Sequence, residues 1–193
     1  MKYPDLFTTY FRAFTKKESG FTLIELLVVM VIISFLSIAM INNFSRTKID
    51  IDQTANLIMA TIRQAQTKTV SSNLYNNYNP CGYGVHYVDP TSIVVYVGPD
   101  ASTATPNCTD MNKNYNPNRD SVLLTQTIKD SQVQLQNSFS DIFFLPPDPK
   151  TYLNNDASLN QAPISIQVGP IGRACTGNCR TIYVYSSGKI ESQ

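Results

Sequence analysis

The chain of 193 residues contains no tryptophan and a single histidine, His86, and only 15% of its residues are charged. A serine or cysteine nucleophile would therefore have only this imidazole available as a general base. No nucleophile that pairs with the imidazole can be identified from the sequence. His86 lies between Val85 and Tyr87 in a predicted strand, on the face opposite both, and is interpreted as an ordinary sheet residue. We predict a protein that is not an enzyme and uses no cofactor.

The chain also lacks an excess of either charge, with 15 basic and 14 acidic residues. Four basic and two acidic groups fall in the first 20 residues, so the remainder carries 11 basic and 12 acidic groups. A nearly neutral surface exerts no general attraction on nucleic acid or anionic lipid, and nucleic acid is not an expected partner. Arg173 and Arg180, on either side of the CTGNC segment, leave one small basic spot.

Proline and glycine are absent between Phe21 and Asn79, and within that stretch residues 21–41 carry a single ionisable side chain, Glu25. Twenty-one residues of helix are enough to cross a hydrocarbon core of about 30 Å. Lys16 and Lys17 precede the segment, so the positive-inside rule places the amino terminus in the cytoplasm and the rest of the chain outside. A secretory signal peptide has a shorter apolar region and a small-x-small cleavage site after it, and neither applies here.

The cysteines, four in number, all follow this apolar segment: Cys81, Cys108, Cys175 and Cys179. An even count beyond a membrane segment favours disulfides in an oxidising compartment. A zinc site would need two C-x2-C pairs, whereas the chain has one close pair with C-x3-C spacing, so no metal is expected. Four cysteines allow three connectivities, and proximity in sequence favours Cys81 with Cys108 and Cys175 with Cys179.

The segment KKESG, followed by FTLIELLVVMVIISFLSIAM, resembles the class III leader and amino-terminal helix of type IV pilins and pseudopilins. The resemblance implies that residues 1–20 are a leader, removed by a prepilin peptidase between Gly20 and Phe21. It further implies that Phe21 becomes the N-methylated first residue and that Glu25 becomes the fifth.

Glu25 is energetically unfavourable within the apolar segment, because a carboxylate at bilayer depth costs roughly 2.5 to 3.5 kcal/mol. In the family that the segment resembles, the glutamate at the fifth position meets the terminal amine of a neighbouring subunit during assembly. An opposite charge within about 4 to 6 Å favours the ionised carboxylate and makes its burial tolerable. The alternative is a polar residue one turn inside the segment that reaches the lipid headgroups.

Residues 42–72 are predicted to continue the same helix, which extends from about Thr22 to about Ser71. One apolar stripe recurs at steps of three and four along it, formed by Ile51, Ala55, Ile58, Ile62, Ala65 and Thr69. Residues 73–193 contain short β-branched and aromatic runs that predict strands: YGVHYV, SIVVYVG, SVLLTQTI, VQLQ, DIFFLP, PISIQVG and RTIYVYSSGKIE. The predicted fold is α+β, with a long helix packed against one antiparallel sheet.

Two polar segments, residues 98–120 and 146–163, are predicted to be long loops. Asp148 and Asp156 in the second are acids of the kind that bind calcium, although solvated loop acids explain them as well. Seven tyrosines either form a binding face or are simply favoured strand residues: Tyr75, Tyr78, Tyr83, Tyr96, Tyr115, Tyr183 and Tyr185.

Within the pilin superfamily, the order of these segments is similar to that of the GspH/FimT group of minor pilins and pseudopilins. That similarity implies a structural subunit of a type IV pilus, a type II secretion pseudopilus or a DNA-uptake pseudopilus. Its partners would be other pilins, the prepilin peptidase, the cytoplasmic membrane and the inner-membrane assembly platform. It would reside in the inner membrane as a single-pass protein with an extracytoplasmic domain, and then in a surface pilus or periplasmic pseudopilus. The alternative is a membrane-anchored domain that binds a glycan or surface polymer.

Overall fold

The structure is a computed structural model that describes residues 22–71, 74–99, 108–147 and 149–193. The predicted leader and Phe21 lie outside these residues, as does Asp148. The chain divides into two compact units, Met1–Asn43 and Phe44–Gln193. Within the described residues, no helix has the length and apolar character needed to cross a membrane.

Helix α1 (Leu23–Val70) ends within one residue of each predicted boundary. The absence of proline and glycine leaves its backbone hydrogen bonds uninterrupted, and Lys68 in the last turn complements the negative end of the helix dipole. In the second unit every residue of the predicted apolar stripe is buried, which confirms the stripe. Met59 is buried beside them.

Nine strands occur in the described residues: β1 (Gly82–Asp89), β2 (Ser92–Gly98), β3 (Ser121–Thr127), β4 (Val133–Leu135), β5 (Ile142–Leu145), β6 (Lys150–Leu153), β7 (Ile164–Pro170), β8 (Arg180–Val184) and β9 (Ile190–Ser192). All pairings between them are antiparallel. One sheet has the order β3-β2-β1-β5-β6 and the other has the order β4-β7-β8-β9. The α+β class is therefore confirmed.

The expectation of one sheet was wrong, and the link between β3 and β4 explains why. At the start of this link Ile128 donates its N–H to the carbonyl of Thr91, and beyond it Leu135 donates to the carbonyl of Pro90, at 2.8 and 2.7 Å. The link between β3 and β4 therefore runs along the turn that joins β1 and β2, and β4 then pairs with β7 in the other sheet. The hydrophobic core is nevertheless continuous, because buried residues of α1 and of both sheets form one cluster.

The second predicted loop, residues 146–163, was only partly correct, because β6 lies within it. Thr151 and Leu153 of β6 are fully buried, whereas Lys150 is exposed and Tyr152 is half-buried, which is the alternation of a strand. Three prolines close to the strand concealed this short signal. After β6 the chain turns through Asn154 and Asn155, which both have positive φ angles.

Candidate functional site

The first turn of α1 contains the predicted assembly residue Glu25. Its backbone N–H donates to the carbonyl of Thr22 at 3.0 Å and lies 3.3 Å from the Thr22 hydroxyl. Threonine at the N-cap and glutamate three residues later form the sequence of a capping box, so Thr22 marks the beginning of the helix. The predicted cleavage site, Gly20 and Phe21, lies outside the described residues.

The side chains around Glu25 form a continuous exposed apolar surface. Among the residues of the first unit whose side chains the structure describes, the large apolar ones are all exposed: Leu23, Ile24, Leu26, Leu27, Val28, Val29, Met30, Val31, Ile32, Ile33, Phe35, Leu36, Ile38 and Met40. The two serines among them satisfy their hydroxyls internally, because Ser34 donates to the Met30 carbonyl and Ser37 to the Ile33 carbonyl. An apolar surface of this extent marks a site of contact with protein or lipid.

In the second unit, residues 108–120 form a segment that covers the outer face of the five-stranded sheet; we call it the cover segment. Tyr96, fully buried on β2, donates its hydroxyl to the carbonyl of Lys113 at 2.6 Å. Burial raises the pKa of Tyr96 well above its usual value, and the nearby carboxylates of Asp141 and Asp120 raise it further. Gly84 leaves room for the ring, because a Cβ there would lie 2.3 Å from it.

His86 belongs to the same outer face and has a partner that the sequence did not reveal. Its Nδ1 lies 2.6 Å from Oδ1 of Asp141, and the other oxygen of Asp141 accepts the backbone N–H of Tyr115. The Tyr115 ring stacks on His86 with centroids 4.7 Å apart and contacts Tyr96 at 5.1 Å. His86 therefore helps to hold the cover segment on the sheet.

Two charged residues anchor the cover segment from within. Lys113 is 3% exposed, donates its ammonium to the carbonyl of Thr109 at 2.6 Å and lies over the ring of Tyr152. Burial lowers the pKa of Lys113. Arg119 donates to the buried carboxylate of Asp120, and that hydrogen bond raises the pKa of Arg119. The described part of the predicted loop 98–120 is thus packed against the sheet.

The structure forms two disulfides, Cys81–Cys108 and Cys175–Cys179, the pairing that proximity in sequence favours. The first ties the beginning of the cover segment to the residue before β1. The second closes a ring in the connection between β7 and β8. Arg180 beside that ring donates to Asp52 of α1 at 2.6 Å, so this half of the predicted basic spot is neutralised.

The tyrosines do not form the single exposed face considered from the sequence. Tyr83 and Tyr96 are buried, and burial also raises the pKa of Tyr83. Tyr75 and Tyr78 pack edge to face across a short turn, with ring centroids 5.8 Å apart. Tyr185 donates its hydroxyl to Glu191.

The described residues contain no group of three histidine, cysteine or acidic side chains that could hold a metal ion. Asp156, one of the two acids considered for calcium, accepts hydrogen bonds from the N–H and hydroxyl of Ser158. A cavity of about 270 Å³ is lined by Thr69, Asn79, Pro80, Gly82, Tyr83, Pro146 and Pro147. Its uncharged, largely apolar lining suits a neutral group.

Comparison with known proteins gives one positive result. Residues 15–41 match the family model described as the prokaryotic N-terminal methylation motif, the signal of type IV pilin-like prepilins. The motif indicates processing by prepilin peptidase and assembly with other pilins. No curated protein and no solved structure matches the chain.

Proposed function

We propose that this protein is a minor pilin or pseudopilin, a structural subunit with no enzymatic role. The match of residues 15–41 to the methylation motif carries the proposal. Glu25, Thr22 and the exposed apolar surface of the first unit fall within or next to that match. The disulfides support an oxidising, extracytoplasmic location for the second unit.

In this proposal, prepilin peptidase cuts the chain between Gly20 and Phe21 and methylates the new amino terminus. Until assembly, residues 21–41 anchor the subunit in the inner membrane. In the filament, the apolar surface exchanges lipid contacts for contacts with neighbouring helices, where close packing supplies the stabilisation. The filament is a type IV pilus, a type II secretion pseudopilus or a DNA-uptake pseudopilus, and the resemblance of the sequence segments to the GspH/FimT group supports a minor subunit of that type.

The charge of Glu25 determines the register in which the helix of an adjacent subunit packs against this one. Without a cation nearby, its carboxylate remains a penalty of roughly 2.5 to 3.5 kcal/mol within an apolar layer. The amine of Phe21 on an adjacent subunit removes most of that penalty, because a buried charge is tolerated when it is paired and hydrogen-bonded. Helices in other registers would leave the carboxylate unpaired, so one register is selected.

Replacing Glu25 tests this role directly. Glu25→Gln keeps the shape of the side chain and removes its charge. We expect this variant to be processed, but to enter sheared surface filaments or pseudopili at least about tenfold less than wild type. The reason is the lost pairing with the amine, since a loss of about 1.4 kcal/mol in binding free energy corresponds to tenfold. Quantitative mass spectrometry of the filament fraction measures the effect. Glu191→Gln on β9, outside the first unit, is the matched control, because it makes the same chemical change and keeps an acceptor for the Tyr185 hydroxyl. Wild-type incorporation of the Glu25 variant would refute the charge pairing.

The alternative function is an anchored domain that binds a neutral glycan or polymer, and the cavity beside Tyr83 is the observation in its favour. Asn79 is an exposed polar side chain of the lining that can orient a ligand, whereas the hydroxyl of Thr69 donates to the carbonyl of Ala65. An anchor of this kind needs no cleavage at Gly20. The state of the amino terminus in cells therefore separates the two functions.

A further inference from the structure

The two disulfides of the second unit differ in the surroundings of their sulfur atoms. Cys81 is 2% exposed, whereas Cys175 and Cys179 are both half-buried. Cys108 is half-buried as well, but attack on its sulfur expels the thiolate of Cys81 into a buried position, where a negative charge is poorly solvated. Thiol–disulfide exchange needs an accessible sulfur and a stabilised leaving thiolate, so burial of Cys81 protects the first disulfide at both of its sulfurs.

The second disulfide lies in the connection between β7 and β8, which is exposed. Residues 171–174 and 176–178 are all exposed on either side of Cys175. Gly172 and Gly177 have positive φ angles, and a Cβ atom on either would have no neighbouring atom within 4 Å. The connection is therefore open to solvent around the ring that the disulfide closes. Exposed disulfides of this kind are the ones that exchange with thiols.

The sulfur atoms join the exposed connection to the four-stranded sheet. A Cβ atom on Gly169 of β7 would collide with Sγ of Cys179 and lie 3.2 Å from Sγ of Cys175, so the closed ring packs where the strand has no side chain. Arg180, the residue after the ring, pairs with β7 and donates to Asp52 of α1 at 2.6 Å. Because these contacts of Arg180 do not involve the sulfurs, β8 keeps its anchor when the ring opens.

We propose that Cys175–Cys179 is a redox-responsive closure of the connection between β7 and β8, opened by a dithiol while the protein stays folded. A thiolate of the dithiol attacks one sulfur, the bond between the cysteines breaks, and the other cysteine leaves as a thiolate that takes up a proton. The second thiol then attacks the mixed disulfide and releases the first cysteine. Two electrons pass to the protein, and the dithiol becomes a disulfide. This proposal concerns the second unit alone and does not depend on processing at Gly20.

The first test follows the reduction of each disulfide in the full chain, kept in detergent micelles. Dithiothreitol is added without denaturant, and free thiols are blocked with N-ethylmaleimide at intervals before digestion with trypsin. Residues 174–180 and residues 69–113 then form separate peptides, each with one cysteine pair, which mass spectrometry quantifies.

We expect the pair in residues 174–180 to be blocked at least about tenfold faster than the pair in residues 69–113. Urea, which exposes Cys81, should accelerate the opening of Cys81–Cys108 far more than that of the short ring. Equal rates without urea, earlier opening of Cys81–Cys108, or a short ring that opens only in urea would overturn the proposal.

Hydrogen exchange measures the structural consequence of opening. The double change Cys175→Ser with Cys179→Ser imitates the open ring and should speed amide exchange in residues 171–179, while β7 and β8 keep their protection. Ala174→Ser, at an exposed position of the same connection, leaves the ring closed and is the matched control. Unchanged exchange in the double variant, or loss of protection throughout the four-stranded sheet, would contradict a closure that acts on this connection.

Discussion

The folding stability of the second unit depends on pH through single buried groups, and Tyr96 is the clearest case. Burial raises its pKa in the folded protein above the ordinary value of 10.0. The folded state therefore holds the proton more tightly than the unfolded chain. The corresponding stability is fully present below about pH 10 and is lost as pH rises further, when the unfolded chain ionises and the buried hydroxyl does not.

We therefore expect Tyr96→Phe to lose less stability than wild type between about pH 9 and about pH 11. At neutral pH the variant should be less stable by about 1 to 3 kcal/mol, because the Lys113 carbonyl loses its donor. Urea unfolding across this pH range measures both effects. Tyr183→Phe, a half-buried residue on β8, is the control. Equal alkaline losses in wild type and the Tyr96 variant would contradict the assigned cause.

Periodicity predicted the residues that face the core, but it did not predict the polar pairs. The stripe on α1 was correct because each buried position follows from its spacing alone. His86 and Asp141 are 55 residues apart, and their contact depends on β1 pairing with β5, which no local pattern reveals. The burial of Tyr96 likewise depends on the cover segment, whose polar composition resembles that of an exposed loop.

Among the elements, the two disulfides close loops of very different length, with sequence separations of 27 and 4. Loop-closure entropy then assigns about 3.6 kcal/mol to Cys81–Cys108 and about 2 kcal/mol to Cys175–Cys179. We expect the double change Cys81→Ala with Cys108→Ala to lower the free energy of unfolding more than the double change Cys175→Ala with Cys179→Ala. Urea unfolding at neutral pH measures the difference. The reverse order would show that the long loop is held by the cover segment without its disulfide.

The helix was the most predictable element, because a long stretch without proline or glycine leaves few alternatives to α1. Strands were predictable where they form a long β-branched and aromatic run, as in β2, or where apolar and polar residues alternate clearly, as in β7. The missed strand, β6, has four residues and depends on pairing with β5 for its identity. The division into two sheets was hidden as well, since it depends on the path of a five-residue link.

At the scale of the whole molecule, the proposed account assigns different tasks to the two units. The first unit, up to Asn43, exposes apolar side chains and one acid, Glu25, which is the fifth residue after the proposed cut. The second, from Phe44, has its own core and two disulfides within the described residues. Assembly would use the first unit, and the second would be displayed to partners.

The intact mass of the protein isolated from cells that make it tests the central claim most directly. Gly20→Asp, which removes the small residue before the proposed cut, provides an unprocessed reference. The account predicts that the wild-type chain begins at Phe21 and carries one added methyl group on its amino terminus. A wild-type chain that retains residues 1–20, or that begins at any other residue, would contradict it.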